Sequence, residues 1–396
     1  MIAAPGNAGI EGIARCVPLR AADVPGLVEL AGRERIDLTV VGPEAPLAAG
    51  LVDALAERGL RAFGPTATAA RIEGSKAWAK ELCVRHGIPA PRSETFTDVT
   101  TAIMHLDAFE PPYVVKADGL AAGKGVVIAP THREAVEAIK ACLVDRVFGQ
   151  AGDTVILEDH VAGREVSVLA LTDGRTVVPL DPAQDFKRAL DGDRGPNTGG
   201  MGAYSPVPFL DQATLATIRA EILEPTVGAL DAEGAPYRGV LYAGLMLTGA
   251  GPAVLEFNAR FGDPETQAVI PRLEGDLAET LLACAEGRLA GHRPGWTSEA
   301  CVTVVLASGG YPASYETGVP IEGLEEAGKF DKVEVFHAGT ARRDGRVVTA
   351  GGRVLAVSAL GDDLADARRR AYEACGLISF EGRHLRTDIA KEAAGG

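Results

Sequence analysis

The chain has 396 residues, 46% of them hydrophobic and 23% charged, with a net charge of −15 and no block of Lys or Arg. That balance describes a globular protein of roughly two to four domains and argues against nucleic acid as the main partner, while leaving small anions open. Six cysteines lie far apart without a C-x-x-C pair, no apolar run reaches the ~20 residues of a membrane span, and no basic region precedes an apolar stretch at the N-terminus; zinc, disulfides, membrane insertion and secretion are disfavoured, and a cytoplasmic setting is expected.

In chain order, Ile36 to Gly42 reads as a short apolar strand, Pro46 to Gly59 as a helix ending at glycine, and Leu60 to Pro65 as the next strand. Together they form a βαβ unit of a parallel sheet. From Thr66 a short helix breaks at Gly74, and a second helix is capped by Gly87 and stopped by Pro89. Lys76 and Lys80 lie one turn apart on that second helix, a pattern usual for a solvated face. From about Pro91 to Val161 come strand, glycine loop, strand, helix and strand, a compact α+β unit. Gly239 to Glu265 reads as a β-hairpin turning at Thr248 to Gly251. From about Arg293 short strands recur, followed by one helix near Asp362 to Cys375, which describes a separate β-rich C-terminal domain.

Three stretches carry candidate chemistry. Tyr113 to Val115 and Val126 to Ile128 read as strands around Lys116, Gly119, Gly123, Lys124 and Gly125. The spacing is one residue short of a P-loop, and no Ser or Thr follows Lys124. The stretch is either a glycine hairpin that folds over a triphosphate or an ordinary glycine-rich turn. In the second stretch, strand alternation puts Glu256, Asn258 and Arg260 on one face and Leu255, Phe257 and Phe261 on the other. A carboxylate and an amide oxygen are hard ligands suited to Mg²⁺, and the neighbouring guanidinium suits a transferring phosphoryl group; a solvated edge strand is the plain alternative. The third stretch, Ala183 to Pro206, has little periodicity and is dense in Gly, Asp, Asn and Arg, so it reads as a long binding loop, with Phe186, Met201 and Tyr204 as anchors against disorder. Glu158 and Glu165 are further candidates, for adenine and ribose, although glutamates at strand ends are common.

The order of these pieces resembles the ATP-grasp ligases and, more narrowly, the phosphoribosylamine–glycine ligase family. Arg260-Phe-Gly-Asp-Pro-Glu-Thr-Gln267 is complete, and VVGPEAPLAAGLVD, FGPT, EGSKAWAK, KADGLAAGKGVV, DGDRGPNTGGMGAYSP, GGYP, FHAGT and TAGGRVLAV are similar to family segments along nearly the whole chain. The resemblance implies an α/β and α+β multidomain fold. Its parts are an α/β pre-ATP-grasp domain over 1–72, an ATP-grasp domain over 73–290 with a lid at about 91–161, and a β-rich domain over 291–396. It implies an ATP-dependent ligase of purine biosynthesis joining glycine to 5-phosphoribosylamine through glycyl phosphate, with Mg²⁺ or Mn²⁺, acting as a monomer. By resemblance, Lys76, Lys116 and the loop of Gly119, Gly123, Lys124 and Gly125 contact ATP phosphates. Glu158 and the backbone through His160 and Val161 meet adenine, and Glu165 binds ribose. Glu256 and Asn258 hold the metal, and Arg260 steadies the acyl phosphate. Asp263, Glu265, Asp185, Lys187, Asn197, Thr198, Gly199 and Gly200 sit near glycine and phosphoribosylamine.

Two departures stand out. Val240 to Leu247 carries no carboxylate, where many ATP-grasp enzymes have one. Family members also place a strand and a Gly-Gly-Arg-Glu-His loop ahead of the segment resembling Ala4 to Gly9, so the expectation is a first strand missing here and a native chain longer by on the order of 25–30 residues. The alternatives are a weakly active nucleotide-binding remnant and another ATP-grasp ligase.

Overall fold

The computed structural model describes residues 1–119 and 125–395. Near the N-terminus, β1 (Ile2–Ala3) pairs in parallel with β2 (Arg15–Cys16), and α1 (Val24–Arg33) follows. Next, β3 (Thr39–Val40) pairs in parallel with β4 (Ala62–Phe63), the expected βαβ unit. Its single expected helix is two, α2 (Glu44–Ala48) and α3 (Leu51–Glu57), because Gly50 takes φ +81 between them. Among the described strands β3 pairs only with β4, and Val40 is 49% exposed.

Helices α4 (Ala67–Gly74) and α5 (Lys76–His86) meet at Ser75, whose extended backbone ends one helix. Its Oγ accepts the Trp78 N–H at 3.1 Å to cap the other. Gly87, left-handed at φ 65, closes α5.

The next unit has its own core. Strands β5 (Ser93–Phe96), β6 (Tyr113–Ala117), β7 (Val126–Ala129) and β8 (Val155–Glu158) form an antiparallel sheet in the order β5-β8-β6-β7. Helices α6 (Val99–Met104) and α7 (His132–Leu143) contribute to the same unit, α7 starting at a Thr131–Glu134 capping box. Phe96, Leu106, Phe109, Val115, Ile139 and Leu157 pack in a cluster separate from the main core.

Beyond it run β9 (Arg164–Thr172) and β10 (Val177–Pro179). The stretch expected to be a loop then holds four short strands: β11 (Gln184–Asp185), β12 (Arg188–Leu190), β13 (Arg194–Asn197) and β14 (Gly202–Ser205). After α8 (Gln212–Ile218) and α9 (Glu224–Ala232), the hairpin forms as expected from β15 (Gly239–Thr248) and β16 (Gly251–Asn258), with Thr248 opposite Gly251. The sheet order here is β10-β9-β15-β16.

Helix α10 (Glu265–Val269), β17 (Leu273–Glu274), α11 (Leu277–Ala285) and β18 (Gly295–Trp296) lead to the C-terminal part. That part holds β19 (Ala300–Ala307), α12 (Leu324–Ala327), β20 (Val333–His337), β21 (Thr340–Arg343), β22 (Arg346–Thr349), β23 (Arg353–Gly361) and α13 (Leu364–Leu377). Its main sheet is not self-contained. The order β11-β14-β19-β23-β20 brings in two strands from the presumed loop, with Gly202 opposite Val304 and Ser205 opposite Cys301. A strand whose partner lies about a hundred residues on shows little local pattern. One continuous core runs from α1 and α3 through β9 and β15 to β19, β23 and α13.

Candidate active site

A cleft of about 1330 Å³ opens between the lid-like unit, the β9–β15–β16 sheet and the C-terminal sheet. It brings together Lys76, Lys116, Gly119, Gly125, Glu158, His160, Val161, Glu165, Asp185, Lys187, Asn197, Thr198, Gly199, Glu256, Asn258, Arg260, Asp263 and Glu265. Gly200 lies just behind the wall, where φ +110 and a Cβ position 2.3 Å from Pro264 Cδ leave room only for glycine. Gly123 and Lys124 lie outside the described residues.

Helix α5 is docked onto the turn after β6. Asp118 accepts from Ser75 Oγ at 3.0 Å and from the Ala77 N–H at 3.1 Å, and Lys76 Nζ donates to Gly119 O at 2.8 Å. Burial pulls the Lys76 ammonium below its ordinary pKa, against the pull of Glu256 and Asp118.

Lys80 corrects the sequence reading. It does not face solvent. Its Nζ lies 2.6 Å from Glu158 Oε2 and donates to Val254 O at 2.9 Å. Lys116 Nζ holds the other oxygen, Oε1, at 2.6 Å and reaches Leu255 O at 3.1 Å. Removing one member of such a buried group would cost about 3–5 kcal/mol, because an unpaired charge would remain.

Strict alternation along β16 also fails. Gly244 pairs with Glu256 but Leu245 pairs with Val254, so Leu255 is an extra, bulged residue. Leu255 therefore leaves the apolar face it was expected to share with Phe257 and lines the cleft. The bulge turns two successive carbonyls, Val254 and Leu255, toward Lys80 and Lys116.

Past the bulge, Glu256 and Asn258 face the cleft. Burial alone would raise the Glu256 pKa, but Lys187, Lys116, Lys76 and Arg260 outweigh it and keep the carboxylate ionised. An ionised carboxylate and an amide oxygen two residues apart fit a small hard cation. Arg260 is steadied by two carboxylates that carried no assigned role in the sequence reading. Glu73 Oε1 lies 3.1 Å from its Nη2, and Glu44 Oε2 lies 3.4 Å from its Nε. Glu73 also accepts the Ala259 N–H at 2.7 Å, and burial raises its pKa.

Deeper in the cleft the charges interlock. Lys187 Nζ sits 3.0 Å from Glu165 and 3.8 Å from Glu256. Burial opposes its charge, yet Asp185, Glu165 and Glu256 hold its pKa well above the ordinary lysine value. Burial raises Asp185 to about 7, despite Lys187. Glu265, buried, accepts from Tyr242 Oη at 2.8 Å. Thr198 Oγ1 donates to Lys187 O at 2.8 Å, fixing the β12–β13 hairpin. Asn197 Nδ2 reaches Val126 O of the lid-like unit at 3.4 Å.

The C-terminal part supplies further residues to which sequence reasoning gave no role, Arg353 on β23 and Tyr311 in the segment after β19. Arg353 forks onto the Asp263 carboxylate at 2.9 and 3.1 Å and donates to Gly199 O at 2.7 Å. Tyr311 Oη accepts the Gly199 N–H at 3.0 Å. Both stand inside segments already singled out, TAGGRVLAV and GGYP, which marked them without saying what they touch.

A cleft in which Lys76 of α5 and Lys116 of a separate four-stranded sheet meet a carboxylate–amide strand defines an ATP-grasp ligase, an enzyme that uses ATP. Models of three phosphoribosylglycinamide synthetase domains match consecutively: the N domain at 1–73, the ATP-grasp (A) domain at 74–266 and the C domain at 301–392. The chain is 51% identical to phosphoribosylamine–glycine ligase of Rhodopirellula baltica, over 98% of this chain and 91% of that one. A crystal structure of phosphoribosylamine–glycine ligase from Thermotoga maritima superposes with a TM-score of 0.84 at 35% identity, covering 98% of this chain and 93% of that one. Biotin carboxylase from Campylobacter jejuni shares the fold alone, with a TM-score of 0.75 at 14% identity, covering 100% of this chain and 89% of that one. The chain belongs to the phosphoribosylglycinamide synthetase family, the ATP-dependent phosphoribosylamine–glycine ligases of purine biosynthesis.

Proposed function

We propose that this cleft activates glycine as glycyl phosphate and passes it to 5-phosphoribosylamine. The observation that carries this is the convergence of Glu256, Asn258 and Arg260 with Lys76 and Lys116 in one cleft, where both lysines lie close enough to lower the Glu256 pKa. A glycine carboxylate oxygen attacks the γ-phosphorus of ATP and ADP leaves. The amine nitrogen of phosphoribosylamine then attacks the acyl carbon, the C–O bond to phosphate breaks, and the nitrogen loses a proton. The products are glycinamide ribonucleotide, ADP and phosphate.

Catalysis of this kind is chiefly positioning and charge neutralisation. Lys76 and Lys116 take the ATP phosphates. The backbone of 159–161 meets adenine, while the Glu158 carboxylate acts on Lys116. Glu165, steered by Lys187, takes ribose. Mg²⁺ or Mn²⁺ held by Glu256 and Asn258 would neutralise phosphate charge. Arg260, braced by Glu44 and Glu73, faces the acyl phosphate. Asp263, Glu265, Asp185, Lys187 and residues 197–200 surround glycine and phosphoribosylamine. We take 1–72, 73–290 and 291–396 as the domains, with 91–161 as a lid whose closure excludes water from glycyl phosphate. Its independent core supports that role. No helix among the described residues is long and apolar enough to cross a membrane, and we place the enzyme in the cytoplasm as a monomer.

Oxygen-18 in the glycine carboxylate tests the intermediate. One labelled oxygen should appear in released phosphate for each product formed. Unlabelled phosphate would rule glycyl phosphate out.

A further inference from the structure

Glu158 is gripped by two ammonium groups, and the nucleotide reading uses only one of them. Lys80 holds Oε2 and Lys116 holds Oε1, each at 2.6 Å, and the three side chains are 8%, 7% and 2% exposed for Lys80, Lys116 and Glu158. The two lysines come from different bodies. Lys80 is on α5, beside the main core, and Lys116 is on β6 of the lid sheet, next to β8, which carries Glu158. Both also reach β16, at Val254 O and Leu255 O.

We propose that Lys80 is the standing counter-ion of Glu158, and that it frees Lys116 to leave the carboxylate for the phosphates of ATP. This rests on the reading of Lys116 as a phosphate contact. With Lys80 in place the group carries two positive charges and one negative. Lys116 can turn to the nucleotide and leave a neutral Lys80–Glu158 pair behind. Without Lys80 the same turn would strip a buried carboxylate of its only partner, a penalty large enough to hold Lys116 back. The hydrogen bond from Lys80 to Val254 O keeps its ammonium in place during the exchange. Lys80 is thus a positioning residue that acts through Glu158 and Lys116.

The test measures affinity of the full chain for the non-hydrolysable β,γ-imido analogue of ATP with Mg²⁺, by calorimetry, alongside melting temperatures. Lys80→Met should weaken binding about tenfold or more, while the KM for glycine stays unchanged. Lys80→Arg should bind within about threefold of wild type. The double variant Lys80→Met/Glu158→Gln, which leaves no unpaired carboxylate, should recover most of the loss even if Lys80→Met alone folds poorly. Wild-type affinity in Lys80→Met, or a double variant bound as weakly as Lys116→Met, overturns the counter-ion role. Undiminished affinity in Lys116→Met instead overturns the phosphate role of Lys116 and the exchange with it. The two failures are therefore distinguishable.

Discussion

Arg353 of the C-terminal sheet forks onto Asp263 in the turn after β16, with Nη1 3.1 Å from Oδ1 and Nη2 2.9 Å from Oδ2. The same guanidinium donates to the carbonyls of Gly199 and Asp263 at 2.7 and 2.8 Å. One side chain therefore fixes the Asp263 turn and the residue 197–200 segment relative to each other. Asp263 is 48% exposed, so the pair itself contributes only about 0–1 kcal/mol to stability. Arg353→Met should lower turnover about tenfold or more while melting shifts by only a few degrees. Arg353→Lys should not restore it, because an ammonium lacks the planar fork. Normal turnover in Arg353→Met would show that the contact does not organise the site.

Glu256→Ala and Asn258→Ala should each abolish turnover at limiting Mg²⁺ and leave the fold intact. Both side chains face the cleft at the end of β16, and the apolar residues Val254 and Phe257 still pack behind them. Circular dichroism and steady-state rates across a Mg²⁺ titration check this. Near-wild-type rates in either variant would remove that residue from the metal site.

Much of this site is written in short-range sequence, and the reason is visible in its elements. The β15–β16 hairpin, the α4–α5 break and the strands around Lys116 are local, so periodicity and glycine punctuation reveal them. The cleft gathers nearly every residue the sequence reading nominated. What stayed hidden depends on distant partners. Lys80 reads as a solvated lysine until Glu158, 78 positions later, arrives beside it. Leu255 reads as core until a bulge shifts the register. Residues 183–206 read as a loop because their strands are two to four residues long and β14 is completed by β19, about a hundred residues on. Glu44, Glu73, Tyr311 and Arg353 stood in quoted motifs, yet what they touch comes only from the fold.

The lid should respond to nucleotide as a unit. Strands β6 and β7 and helix α7 share a core apart from the main one, and Asn197 already touches Val126 across the cleft. Hydrogen exchange with and without ATP and Mg²⁺ should show added protection in β6 and β7, with α7 unchanged. Identical exchange at saturation would contradict closure.

Asp185 gives a pH signature. Its pKa is raised from 3.8 to about 7, chiefly by burial. The folded state therefore binds this proton more tightly than the unfolded one. The stability it contributes is full below about pH 4 and declines as pH rises toward 7. The stability of wild type relative to Asp185→Asn should fall across that window and level off above it, as read by urea denaturation. A flat difference from pH 4 to 8 would mean that Asp185 ionises in the ordinary carboxylate range.

The cleft joins glycine to phosphoribosylamine at the expense of ATP, the activity of the family to which the chain belongs. Purified protein with ATP, Mg²⁺, glycine and freshly generated phosphoribosylamine should release ADP and form glycinamide ribonucleotide one for one, measured by mass spectrometry. Omitting either glycine or the amine should stop product formation. ADP release that follows bicarbonate instead of glycine, or nucleotide binding with no product at all, would contradict it.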